Sequence, residues 1–423
     1  MAATTVSLLT GFFKERYGKL GDLVPRRDKF HKLIPFVAKE QQSGNSYHVP
    51  VIVSDSQGYT YAGTSDDGFS LNDPVSMITQ DAQILGSQIV GRVQLGYNAA
   101  ARASDSVRAF GNIMDKVVEN MVASNSKRLE LVCLYGQSGI GQFAQGAKQA
   151  ATATTITVNM TRAKWAAGIW AGLENAEVNF YTTAGVLVSS GADAIFKVTS
   201  VDSNNRRVKF TGTSTGITDL DTSEDTNAHD VFFRGAQSTE AAGIDKIFRN
   251  TGSLFNIDAA AYDLWRSNVH TVSGQFNMAK LLAGITKAVD RGLSEDVVAL
   301  VNPHTWQDAN ADLAALRSFD KSYKSAEGEA GNEGIVYHGT NGKVELIPHI
   351  YVKEGDCFFF PPDVLSRVGA QDFSTTRPGG GSGDDIFFDR PDNAAYEMRS
   401  YTNQGVLCEA PAQCGVVEGF ANS

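Results

Sequence analysis

From Ser104 to Tyr135 the chain reads SDSVRAFGNIMDKVVENMVASNSKRLELVCLY, and Val107, Phe110, Met114, Val117 and Met121 return every three or four positions. That spacing puts them on one face of a helix, and Ser104 and Asp105 supply side-chain oxygens suited to capping its first turn. Unbroken, such a helix spans about 48 Å at 1.5 Å per residue. Few globular cores need so long a rod, so the remainder of the chain is expected to be arranged along it as along a spine.

The glycines that follow, in GQSGIGQFAQG from Gly136, have the G-x-x-x-x-G spacing of a phosphate loop. That motif needs a lysine and then a serine or threonine after the last glycine, to reach phosphate and hold magnesium. Gln142 and Phe143 stand there instead. Gly139-Ile140-Gly141-Gln142-Phe143-Ala144 fits the dinucleotide spacing, but a helix precedes it where a strand is required. No Asp or Glu follows before Glu174 to bind a ribose. Ser138 misses the nucleophile-elbow spacing by one residue. The loop is expected to end the helix and turn the chain outward.

Beyond Thr152 the composition changes to Thr, Val and Gly in short alternating runs such as TTITVNM, AIFKVTSV and RRVKFTG. Period-two alternation reads as strands, and Asp202-Ser203-Asn204-Asn205 reads as a hairpin turn. Residues 152–236 are therefore expected to form an all-β module, because helical periodicity returns only after Gly235. NMAKLLAGITKAVDRG then reads as an amphipathic helix closed by Gly292, VVALVNP as a strand, and HTWQDANADLAALRSF as a second helix. Ahead of the long helix, residues 58–103 hold six glycines and near-alternating runs, the pattern of an extended hairpin arm. Gly379–Gly383 reads as a mobile loop, and the last forty residues as paired strands.

No residue set argues for catalysis, a cofactor or a metal. The seven histidines show no HxH or HxxxH spacing, and the four cysteines show no CxxC, so buried reduced thiols are expected. Asp219, Asp221, Glu224, Asp225 and Asp230 lack the glycine and flanking helices of a calcium loop, and a solvated acidic loop is expected there. Trp165 and Trp170 read as core or interface aromatics. The net charge of −10 excludes a surface that seeks nucleic acid everywhere. Gly11 to Glu40 is the exception, with eight basic residues (Lys14, Arg16, Lys19, Arg26, Arg27, Lys29, Lys32, Lys39) against four acids. A solvated polar face is the simpler reading of it. No stretch reaches the roughly 18 apolar residues of a membrane helix, and the N-terminus lacks a secretory signal.

The order of segments, together with CLYGQSGIGQFAQG, VNPHTWQDA and RSYTNQGVLCEAPAQCGVVEGF, resembles the major capsid proteins of tailed bacteriophages with the Hong Kong 97-like fold. That resemblance implies an α+β chain with an N-arm at 1–47, an extended E-loop at 48–103, and a spine helix and connector at 104–151. The all-β insertion at 152–236 would be followed by peripheral-domain residues at 237–284, an axial domain at 285–372, and a loop and returning peripheral strands at 373–423. It further implies a structural protein, not an enzyme, which assembles as hexamers and pentamers into an icosahedral shell in the host cytoplasm. The implied partners are a separate scaffolding protein, since forty-odd residues leave no room for a scaffolding segment, a portal protein, packaged double-stranded DNA on the inner face, and a decoration protein in some members. An encapsulin-like compartment shares the fold, and an enzyme using the Gly136–Gly141 loop is the third reading.

Some members of that family link subunits covalently through an E-loop lysine. No lysine lies between Lys39 and Lys116 here. Assembled particles are expected to separate into single subunits in boiling detergent; a ladder of linked species on a denaturing gel would contradict this.

Overall fold

The computed structural model describes residues 30–37, 47–64, 68–96, 113–316, 335–339, 342–375, 387–389 and 395–422. The long helix runs Ile113–Tyr135. Its end agrees with the sequence pattern, whereas the expected start at Ser104 lies outside the described residues. Met121 is buried, as the one-faced pattern requires, but every side chain from Leu129 to Tyr135 is buried as well. The last turns are thus enclosed on all sides, and three groups of strands meet around them.

The first group is a seven-stranded antiparallel sheet in the order Gly141–Phe143, His229–Phe233, Glu177–Thr182, Phe196–Asp202, Arg207–Thr211, Thr155–Asn159, Lys148–Ala151. Alternation works here as the sequence implied: Ile156, Val158, Val208 and Phe210 point inward and their neighbours outward. Phe180 is the hub of the inner face, edge-on to Phe143, Phe196 and Phe210 at 5.7, 4.7 and 4.9 Å. Each such pair adds about 0.5–1.5 kcal/mol beyond burial. The expected turn is present, with Asp202 Oδ1 accepting from the Asn204 and Asn205 amides.

Two features correct the sequence reading of this module. Its sheet begins before residue 152, with Gly141–Phe143 and Lys148–Ala151. It also contains a helix, Ser214–Glu224, so the acidic segment is mostly helical, not a loop, and the module is not purely β. Thr, Ser, Asp and Gly are weak helix formers, and of the buried residues Gly216, Ile217, Leu220 and Glu224 two alone carry apolar side chains, so periodicity gave no signal. Thr213 supplies the cap, its Oγ1 accepting from the Gly216 amide at 3.0 Å.

The second group is a six-stranded mixed sheet in the order Asn268–Thr271, Gly415–Glu418, Asp356–Phe360, Val297–Val301, Lys343–Pro348, Ile335–His338. Its central strands, Val297–Val301 and Asp356–Phe360, are buried at every position, which is the sign of a sheet covered on both faces. The amphipathic helix Met278–Val289 covers one face with Met278, Leu281, Ile285 and Ala288. It starts at Asn277, whose Oδ1 accepts from the Lys280 amide, and the chain leaves it through Gly292 at φ 98°. This sheet takes strands from both sides of the divisions drawn at 284/285 and 372/373 on the sequence.

In the third group, Ala395–Cys408 pairs with Leu365–Ser374, Phe387–Asp389 and Ser87–Gly96. The Ser87–Gly96 ladder is ten residues long, from Ser87 opposite Gln404 to Gly96 opposite Ala395. Ahead of it Tyr47–Ser54 and Ile78–Ile84 form the antiparallel base of a hairpin. Gly379–Gly383 lies outside the described residues.

His229, on a central strand of the module, stacks on Phe143 at 5.1 Å, and its Nε2 lies 2.8 Å from Ser223 Oγ. Burial pushes its imidazole down to about 4. The unfolded chain takes up a proton near pH 6.5 that the folded chain refuses, so the contribution of His229 is complete above 6.5 and lost as pH falls toward 4. Between pH 6.5 and 5 the melting temperature is expected to fall, and His229→Gln to flatten that slope; an unchanged slope would refute the assignment.

Candidate functional site

The glycine loop sits where the three groups of strands converge. Gln137 and Gly139 take positive φ, 63° and 77°, which reverses the chain after Tyr135. Its amides are committed within the protein: Gly136 N donates to Val132 O, Ser138 N to Tyr135 O and Ile140 N to Val231 O, at 2.8–2.9 Å. Gly136 in turn accepts from the Gly243 amide at 3.0 Å, and Gln137 Nε2 donates to Glu240 O at 2.7 Å. A Cβ on Gly136 would stand 2.1 Å from Ala241 O, and one on Gly141 2.6 Å from Met160 Cε and 2.7 Å from Trp170 Cζ2. These glycines exist for close backbone approach, and amides already bonded to carbonyls do not cradle phosphate.

A second segment, residues 349–356 (HIYVKEGD), threads between the long helix and the module. Lys353 is 2 % exposed. Its Nζ donates to Gly139 O at 2.9 Å and lies 3.9 Å from the Tyr135 ring centre, while its amide donates to Tyr135 Oη at 2.8 Å. Burial, reinforced by Lys164, lowers this ammonium to about 8, although Asp245 and Asp356 pull it upward. Arg249 joins three acids: Nε donates to Asp245 and Nη2 to Asp356, each at 2.7 Å, and Nη1 donates to Glu418. On the module side the Glu354 amide donates to Trp165 O and the Gly355 amide to Ala163 O, and Arg162 Nε pairs with Glu354 Oε2 at 3.0 Å. Gly355 has no room for a side chain, since a Cβ would meet Ala163 Cβ at 2.6 Å.

At the other end of this segment the Tyr351 amide donates to His349 Nδ1, which leaves Nε2 to donate to Glu130 Oε1 at 2.7 Å. The same oxygen accepts from the Phe30 amide at 2.8 Å. Arg367 holds the rest of the N-terminal segment, its Nε donating to Ile34 O and its amide to Pro35 O. Of the basic arm residues, Lys32 lies in the short helix Phe30–Leu33, and the other seven lie outside the described residues.

Of the remaining sequence candidates, Asp221, Glu224 and Asp225 gather around Lys148, the last at 3.8 Å from its Nζ, and the others lie apart. Asp219 accepts from Ser189 Oγ, Asp221 pairs with Lys148 at 2.6 Å, Glu224 accepts from the Lys148 amide, and Asp230 accepts from Gln142. Among the described residues no group of three or more His, Cys, Asp or Glu is placed to hold a metal ion. Trp165 and Trp170 stack at 5.9 Å inside the core, and all four cysteines are buried and free. Among the described residues no helix is long and apolar enough to cross a membrane. Sequence reasoning missed Glu130, His349, Lys353 and Arg249; the only trace of the threading segment was KEGD interrupting the apolar run IYVKEGDCFFF.

The hairpin is the element that carries the most exposed apolar side chains among the described residues. Its base is anchored: Ala82 packs with Ile257, Ala259 and Trp265, and the Gln83 amide donates to Phe255 O at 3.0 Å. Beyond the base, Tyr59, Tyr61, Phe69, Leu71, Val75 and Met77 are exposed, Tyr61 by 92 %. Six large apolar side chains held in water along one hairpin are surface of the kind that an interaction covers.

No family model matches the sequence, and no curated protein matches it. Solved structures do match. The cyanophage A-1(L) capsid asymmetric unit aligns with a TM-score of 0.56 over 99% of this chain and 98% of its own, at 10% identity. The capsid of a native GTA particle and a structure from Mycobacterium phage Bobi each align over 100% of both chains at 9% identity, with a TM-score of 0.47. The chain shares the fold of the cyanophage A-1(L) capsid structure, in agreement with the Hong Kong 97-like fold implied by its segment order.

Gly139→Ala is expected to cost about 1–2 kcal/mol for the left-handed backbone, and Gly141→Ala about 1–3 kcal/mol for overpacking. Thermal melts of both variants should show the loss, with nucleotide binding by neither wild type nor variant; nucleotide binding abolished by either substitution would restore the phosphate-loop reading.

Proposed function

We propose that this protein is a major capsid protein, which self-assembles into the icosahedral shell around the double-stranded DNA of a tailed bacteriophage. The observation that carries this reading is the anchored hairpin with a bare apolar tip. Covering one such side chain yields about 1.5–3 kcal/mol, and nothing in the described part of the same chain covers these, so neighbouring copies do. Ring-like and closed assemblies of one chain bury this kind of surface by repeating a single contact. The capsid fold supports the same conclusion, and the capsids among the matched structures favour a phage shell over an encapsulin-like cargo compartment.

In this reading the hairpin at 48–103 is the E-loop, the helix to Tyr135 is the spine, the module is the insertion domain, and 285–372 forms much of the axial domain. Residues 1–47 are the arm, and its basic residues face the genome. Hexamers and pentamers assemble in the host cytoplasm with a separate scaffolding protein, close on a portal protein, and in the virion enclose DNA held non-specifically by charge. A decoration protein on the outside is compatible with this arrangement. The role is structural, not enzymatic.

Negative-stain microscopy of the purified protein, alone and with its scaffolding protein, is expected to show closed shells or hexameric rings. Tyr61→Asp combined with Leu71→Asp should abolish them while leaving the melting temperature within about 2 °C of wild type, because surface changes cost little in the subunit itself. A wild-type protein that remains a compact monomer under all these conditions would overturn the proposal.

A further inference from the structure

Two of the four cysteines meet in the core. Cys408 ends the long strand Ala395–Cys408 and Cys414 leads into Gly415–Glu418; their Sγ atoms lie 3.8 Å apart, with both side chains enclosed. The chain between them makes the short turn Pro411–Gln413, and that turn is pinned from outside. Ser267 Oγ donates to Cys414 O at 2.7 Å, and Asn268 Nδ2 donates to Ala412 O at 2.6 Å. These bonds hold Cys414 against the end of the preceding strand. Bonded sulfurs stand about 2.05 Å apart, a gap that small rotations about the two Cα–Cβ bonds close from here. The other two cysteines have no such setting. Cys357 sits in mid-sheet opposite Val301 and Val417, and Cys133 lies in the long helix.

We infer that Cys408 and Cys414 form a dithiol site that a small-molecule disulfide, such as oxidised glutathione, converts in the folded protein into a disulfide fastening the turn between the two strands. One cysteine, as thiolate, attacks a sulfur of the oxidant, giving a mixed disulfide and releasing one small thiolate. The second cysteine attacks the protein sulfur of that mixed disulfide, forming the Cys408–Cys414 bond and releasing the other small thiolate. The two cysteine protons end on the two released thiols, and the oxidant takes up the two electrons that the cysteines lose. Burial pushes the Cys414 thiol up, and Cys408 beside it adds to this, so the closed turn is slow to react. Access comes through the turn itself, where Glu409 is exposed and Ala410 and Gln413 are half-buried. Opening these few residues admits the oxidant without unfolding either sheet. Reduced glutathione inside a cell keeps the pair as thiols, and an oxidising medium closes it. The reaction depends on the fold alone and is indifferent to whether the chain builds a shell.

The positions of cleavage sites make the bond easy to read. No Lys or Arg follows Arg399, so trypsin leaves both cysteines on one peptide, and Glu409 lies between them. Folded wild-type protein, held with oxidised glutathione below its melting temperature, should retain two free thiols of its four. Trypsin and a glutamate-specific protease should then release residues 400–409 and 410–418 joined, two hydrogens lighter than their sum, and a reductant should part them. The melting temperature should rise by about 2–3 °C, as closure of so short a loop gives, and fall back with dithiothreitol. Cys408→Ala should show neither the joined peptides nor the rise; the thiol and peptide readings on wild type decide the matter even if that variant does not fold. Four thiols after oxidation, a link to Cys133 or Cys357 instead, or a Cys408–Cys414 link with no gain in melting temperature would overturn the inference.

Discussion

One buried carboxylate oxygen organises the centre of this protein. Glu130 Oε1 lies in a fully enclosed site and accepts from both the Phe30 amide and His349 Nε2. Leaving such a charge without partners costs several kcal/mol, so the long helix is complete only when the N-terminal segment and the 349–356 segment dock on it together. One and a half turns later Tyr135 and Lys353 repeat the arrangement, tying that segment to the Gly139 carbonyl. The helix end is a polar lock set inside an apolar core. Each part of the lock comes from a region distant in sequence, which makes assembly of the junction cooperative.

The legible parts of the fold were those governed by local periodicity. Period-two runs gave the strands of the module, and period-3.6 runs gave the end of the long helix and the helix Met278–Val289. The helix Ser214–Glu224 was hidden because its composition favours turns and caps, and its formation depends on Ile217 and Leu220 finding the sheet. Strand order was equally hidden. Nothing local in Gly415–Glu418 specifies that it lies parallel to Asn268–Thr271, because that pairing is decided by which apolar faces remain open once the other strands are placed. For the junction, GQSGIGQF signalled a turn, but the reason for its glycines lies in Ala241, Met160 and Trp170, which no spacing rule reaches. Isolated polar residues such as Lys353 and Glu130 carry meaning through partners a hundred residues or more away.

The module shows how a chain adds a domain without weakening its frame. It leaves the frame at Gly139 and is held back against it by Arg162, Ala163 and Trp165, which grip residues 354 and 355 through backbone and ion pairs. Its own aromatic core, centred on Phe180, is continuous with the apolar packing around Tyr135 and Phe358. The joint is therefore stiff, and the module is positioned with respect to the long helix as firmly as one strand of a sheet is with respect to the next.

The ladder between Ser87–Gly96 and Ala395–Cys408 has a mechanical consequence. A pull on the hairpin along its strands loads ten residue pairs at once in shear, instead of opening them one by one from an end. The loaded partner strand passes through the short turn Pro411–Gln413 into Gly415–Glu418, inside the six-stranded sheet. Tension applied at the outermost part of the molecule is thereby carried into its most deeply buried strands. A wall built of such units would resist pressure from within by stretching sheets, not by peeling them.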